Sequence, residues 1–286
     1  MGTKSCFIIP VYPPHYQYLG FLNELPDSID FEIYLVLSFK NDLEELLKLN
    51  HNPAYKVIVL EDVLDQDFIR KIIDRNVIIT FKKYYALDIL KDKYDYLATC
   101  DSEIKFINTN NINEKFKKFC DNKKLIGSVV SYGSKNIDLA IDINRGSTIF
   151  FDHKDVDLIS EGFRFYFWFS DIPIYDSTIL KKYMEHINFR NHQNFVDTIS
   201  WYFFDYIAYG YYCLINEGYE KIDTASNGIE RNWSLESISF EIYEKVQSLG
   251  YNPLWVIHNT WLENQDILNE KIILTYHLND GRYTTL

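Results

Sequence analysis

Four short apolar runs in the first hundred residues set the limits on this chain: 6–12 (CFIIPVY), 31–37 (FEIYLVL), 56–60 (KVIVL) and 96–100 (YLATC). Each is nearly continuous in apolar character, the pattern of a strand covered on both faces. The stretches between them are read as helices over 15–25, 42–49, 67–74 and 84–91. Acidic residues open the segment at 42–49, where a helix N-terminus favours negative charge. Strand and helix in alternation predict a Rossmann-like α/β architecture: a mostly parallel central sheet with helices on both faces. No G-x-G-x-x-G follows the first run and no G-x-x-x-x-G-K-[ST] occurs in the chain. Those absences count against a dinucleotide oxidoreductase and against a P-loop NTPase.

The fourth run stops abruptly at Asp101-Ser102-Glu103. In open α/β sheets, ligands bind outside the carboxyl ends of the strands. Asp101 and Glu103 stand two apart, so in extended chain both point to the same side. Two hard oxygen donors suit Mg²⁺ or Mn²⁺, which take one or two carboxylates and leave the remaining positions to phosphate and water. The competing reading is a solvated turn after a strand. D-x-[DE] is common by chance, and its position after a strand in an α/β pattern is what gives it weight.

A strand that delivers such a motif resembles the metal and nucleotide-sugar signature of GT-A fold glycosyltransferases. The resemblance rests on CFIIPVY, on the alternating strands and helices and on the acidic motif near residue 100. It is most specific over 79–107 and next over FWFSDIPIY, and Glu103 stands where the family motif has its second Asp. Within the family the chain is similar to small glycosyltransferases of large DNA viruses and of bacterial surface-polysaccharide clusters.

That resemblance implies one GT-A domain over 1–286, with a nucleotide-sugar half to about residue 107 and an acceptor half from about residue 108. The donor would be a UDP-sugar, UDP-xylose or a UDP-hexose, and the acceptor a glycan. Asp101 and Glu103 would hold Mn²⁺ or Mg²⁺, with His258 completing the site and His277 as the alternative. Pro10, Val11 and Tyr12 would contact the nucleotide, together with Ser38 at the next strand's rim and Ser102. Lys82 or Lys83 would meet the diphosphate as a point charge, against the alternative of a solvated helix start. An inverting enzyme needs a carboxylate to take the acceptor proton, and Asp171 and Asp197 compete for that role. A retaining enzyme needs no such base, and the reading leans toward inversion. Two rivals stay open. A nucleotidyltransferase would carry a Gly-rich basic loop after the first strand, which CFIIPVYPPHY lacks. A non-catalytic glycan-binding protein would explain the aromatic residues without Asp101 or Glu103.

Downstream, the pattern predicts a helix over 113–122, strands over 126–132 and 147–151, and an aromatic strand over 163–169. Asp176 reads as the N-cap of a helix over 177–187. Residues 194–214 read as one long buried helix with Asp197 near its start, and 218–232 as irregular. A helix over 234–249 and a strand-like run containing His258 follow.

Net charge is −12, a poor fit to non-specific nucleic-acid binding, which rests on Lys and Arg. Aromatic residues make up 17%. Tyr in that abundance suits broad half-wet binding surfaces, although an AT-rich coding genome gives the same bias. The four Cys show no C-x-x-C spacing and read as reduced, buried thiols of an intracellular protein. No signal peptide and no apolar run long enough to span a bilayer is read, so the expectation is a cytoplasmic protein, in the host cytoplasm if viral.

Overall fold

The computed structural model describes residues 2–13, 15–16, 19, 22, 25, 29–49, 55–102, 104–106, 109–134, 137–167, 172–229, 240–251, 256–258 and 275–277. The first half runs β1 (Ser5–Pro10), β2 (Phe31–Leu37), α1 (Lys40–Leu49), β3 (Lys56–Val59), α2 (Gln66–Asp74), α3 (Ile78–Leu90) and β4 (Tyr96–Thr99). Next come β5 (Ile104–Phe106), α4 (Ile112–Asp121), β6 (Lys124–Val129), α5 (Ile137–Ser147), α6 (His153–Ser160), β7 (Phe165–Phe167) and β8 (Ile174–Asp176). The chain continues through α7 (Ser177–His186), α8 (His192–Thr198), α9 (Asp205–Asn216), β9 (Glu220–Asp223), α10 (Phe240–Ser248), β10 (Val256–His258) and β11 (Thr275–His277).

The central sheet has the order β3-β2-β1-β4-β8. Its first four strands are parallel and β8 closes the edge antiparallel to β4. The apolar runs are continuous because both faces are covered. Phe7, Ile9, Ile33, Leu35 and Ala98 enter a core on one face with α1 and α4. Cys6, Ile8, Tyr34, Val36 and Leu97 enter the other with α2, α3 and α7. Burying one such aliphatic or aromatic side chain is worth about 1.5–3 kcal/mol, so the period-two split across two cores holds the strand register firmly. A second sheet, β7-β6-β9, contributes to the first of these cores through Ile126, Phe165, Phe167 and Ile222. Gly127 permits its close pairing, since an added Cβ would fall 2.4 Å from the Tyr166 carbonyl oxygen. A third sheet joins β10, β11 and β5.

Asp176 caps α7 as the sequence predicts, its carboxylate accepting from the Thr178 and Ile179 amides at 2.8 and 3.3 Å. Four expectations need correction. Residues 147–151 are the last residue of α5 and the turn after it, not a strand. The aromatic strand begins at Phe165, not 163, and its described part, β7, lies in the second sheet; residues 168–169 lie outside the described residues. The stretch 218–232 contains β9, parallel to β6. The long helix of 194–214 is two helices, broken over 199–204. The break is stabilised from outside: the Arg75 guanidinium donates to the Asp197 and Ile199 carbonyls at 3.1 and 3.0 Å. That satisfies acceptors a helix end leaves open, while Ile199 and Phe203 bury in the core. All four cysteines are free and buried. Among the described residues no helix is long and apolar enough to cross a membrane.

Candidate functional site

Residues 100–102 follow β4 at the carboxyl edge of the central sheet. The ladder continues one step past the strand, with the Cys100 amide donating to the Ile8 carbonyl at 3.0 Å. By strand alternation Thr99 and Asp101 share the face covered by α3 and α9. Thr99 donates to the Asp205 carboxylate at 3.1 Å. Asp101, 58% exposed, lies with its Oδ1 3.4 Å from the Lys83 ammonium. That ammonium is also 3.6 Å from Asp205 Oδ1, and the Asp205 side chain is 5% exposed.

Lys83 therefore bridges an outer carboxylate and a buried one. Its burial alone would favour the neutral amine, but Asp205 and Asp101 outweigh that and hold its pKa above the usual lysine value. The Tyr175 hydroxyl donates to Asp205 Oδ2 at 2.7 Å. The Tyr84 and Tyr183 hydroxyls, 2.6 Å apart, continue the polar core beneath. Burial, then the charge of Asp205, raises the Tyr175 pKa far above its ordinary value, so it stays a neutral donor. A buried carboxylate persists when it is paired and hydrogen-bonded, and Asp205 has both. In the sequence Asp205 lies inside the stretch 194–214, which reads as one long buried helix. The helix break over 199–204, which puts Asp205 in the first turn of α9, had no Gly or Pro to announce it.

The other predicted residues divide. Pro10 ends β1, and the Val11 amide prolongs the ladder by donating to the Val36 carbonyl at 3.0 Å. Lys82, 1% exposed, donates from its ammonium to the Val11 carbonyl, so it is not a solvated helix start. Burial pushes its pKa down to about 8, against a smaller opposing effect of Asp42. The Ser38 amide donates to Asp42 and its carbonyl accepts from the Glu61 amide. Tyr12 shares a hydrogen bond with His15 Nε2, and His15 Nδ1 is 2.8 Å from Ser102 Oγ. Val11, Tyr12, Ser38, Lys83, Asp101 and Ser102 thus stand at the carboxyl ends of three adjacent strands or beside them.

Asp197 does not join them. It sits in the last turn of α8, not near a helix start. Its carboxylate pairs with Lys71 of α2 at 2.6 Å and accepts from Gln193 at 2.6 Å. Those bonds, Lys71 first, hold its pKa below the ordinary carboxylate value. Glu103 and Asp171 lie outside the described residues. The strand after Asp171 opens at Ile174, paired with Ala98. His258 ends β10, where it is in register with His277 of β11, which in turn pairs with Ile104, the residue after Glu103. Among the described residues no group of three His, Cys, Asp or Glu side chains forms a metal cluster.

No protein-family model matches the chain and no curated protein matches it in sequence. Solved structures similar to it in shape include glycosyltransferases. The glycosyltransferase GlyE of Streptococcus pneumoniae TIGR4 aligns over 97% of this chain and 55% of its own, at 11% identity and a TM-score of 0.40. The chain thus spans about half the length of GlyE. Mouse xyloside xylosyltransferase 1 aligns over 98% and 99%, at 11% identity and 0.42. The galactosyltransferase LgtC, solved with donor and acceptor sugar analogs, aligns over 95% and 86%, at 10% identity and 0.42.

Proposed function

We propose that the chain is a metal-dependent glycosyltransferase that moves a sugar from a UDP-sugar to a glycan acceptor. The observation that carries this is the placement of Asp101 at a sheet edge. Asp101 stands at the carboxyl end of β4 beside a lysine backed by a buried carboxylate. The third sheet brings the backbone of His277 and His258 into register with Ile104. Carboxylate and imidazole donors fit Mn²⁺ and, less closely, Mg²⁺. Asp101, Glu103 and His258 are the residues we assign to the ion. When bound, such an ion neutralises charge on a departing diphosphate.

The protein's own residues supply the rest. Lys83 orients Asp101 and sets a positive charge at the rim. Lys82 fixes the Val11 carbonyl and with it the loop assigned to the nucleotide. For an inverting transfer the base is Asp171, because the Lys71 pair lowers the basicity of Asp197. The donors to screen are UDP-xylose and the UDP-hexoses.

Calorimetry of UDP binding with and without Mn²⁺, on the wild type and on Asp101→Ala, tests the reading. Binding that needs both the ion and Asp101 is expected. Absence of UDP binding in every condition would remove the proposal.

A further inference from the structure

We infer that His15 is a positioning residue that pins the acidic turn after β4 to the loop after β1; the inference rests on the donor reading above. His15 is 6% exposed and Ser102 3%. They are 87 residues apart in sequence, yet Nδ1 and Oγ lie 2.8 Å apart. The other ring nitrogen is hydrogen-bonded to Tyr12, whose ring lies over the imidazole at 3.9 Å between centroids and 40° between planes. A histidine kept for packing alone has no need of a partner on each nitrogen, one in its own loop and one in the turn after β4.

The backbone explains why such a tie is placed here. β1 and β4 are neighbours, and their ladder reaches Cys100, held by the Ile8 carbonyl. Ser102, two residues on, is held by the imidazole. Asp101 is therefore fixed on both sides, by the ladder before it and by His15 after it. A carboxylate that must meet a ligand in one geometry gains from such support, because less freedom is lost on binding. A neutral imidazole has one donor and one acceptor, and both partner hydroxyls can play either role. Tyr12, His15 and Ser102 thus form one chain whose proton directions are set together.

The test uses the full chain and calorimetry of UDP in saturating Mn²⁺, with thermal melts of each variant. Ser102→Ala and His15→Gln are each expected to weaken UDP roughly five- to tenfold, the effect of one buried hydrogen bond. The double variant is expected to be no weaker than either single, since both remove the same contact. His15→Asn, whose amide nitrogen reaches the place of Nδ1, is expected to restore most of the affinity. Additive losses, or a lowered Tm with unchanged affinity, would overturn the assignment. A wild type that does not bind UDP with Mn²⁺ overturns the donor reading and the assignment with it; a wild type that binds, with unaffected variants, overturns the assignment alone.

Discussion

The two rims of the central sheet carry polar clusters of opposite character. At the amino rim, Glu32, Tyr34, Lys56 and Tyr94 form a closed group. The two tyrosine hydroxyls are 2.8 Å apart, and Tyr34, Tyr94 and Lys56 all donate to Glu32. One carboxylate meets one ammonium there, and both are about half exposed. At the carboxyl rim, Lys83 serves both Asp101 and Asp205, and two of the three are mostly buried. The first arrangement is balanced and replaceable. The second joins a buried acid and an exposed one through a single buried lysine.

The sharpest break in that contrast comes from Lys83→Met. It leaves Asp205 buried beside no ammonium, and urea denaturation should show a loss of about 3 kcal/mol. Next comes Asp101→Asn, which should abolish Mn²⁺-dependent UDP binding in calorimetry while changing stability by less than about 0.5 kcal/mol, as for an exposed site. Lys82→Met addresses pH. The folded pKa of Lys82 is depressed to about 8, so its burial cost is complete below that pH. The cost is relieved as pH climbs toward the unfolded value of about 10.4. Wild-type stability should therefore rise between pH 8 and 10 relative to Lys82→Met, and parallel curves would refute the assignment.

The amino rim should respond least. Glu32 has its pKa held down; burial opposes this, but the Lys56, Tyr94 and Tyr34 hydrogen bonds and the Lys56 charge outweigh it. Its contribution is present above pH 4.5 and is lost as pH falls through the lowered folded value. Glu32→Gln should cost less than about 1 kcal/mol at pH 7 and leave UDP affinity unchanged. Last, Asp197→Ala should leave glycosyl transfer at the wild-type rate in an assay of donor turnover. A large loss would return the base to Asp197.

The central sheet was legible because its code is local. Apolar runs with sharp ends mark β1 to β4, and the end of the fourth points to Asp101 at the rim. Asp176 was legible for the same reason, as a cap two and three residues from the amides it serves. What escaped was set at long range. Lys83 stood among the candidates, but its buried partner Asp205 is 122 residues away, in apolar surroundings that read as ordinary helix. The break between α8 and α9 is stabilised by Arg75, the residue after α2, so no local breaker marks it. β9 begins with Glu-Lys and is short, and its partner β6 is nearly a hundred residues earlier.

The pairing of β11 with β5 joins residues 104–106 to residues 275–277. The β-ladders of the central sheet, by contrast, are complete once residue 176 has joined Tyr96. During synthesis the strands of the central sheet are therefore all made before β10 and β11. Long-range pairings of this kind are slow to form. A chain cut after residue 251 should melt as a folded body and yet lack the edge that carries His258. Folding and competence would then be separate events in the life of the molecule.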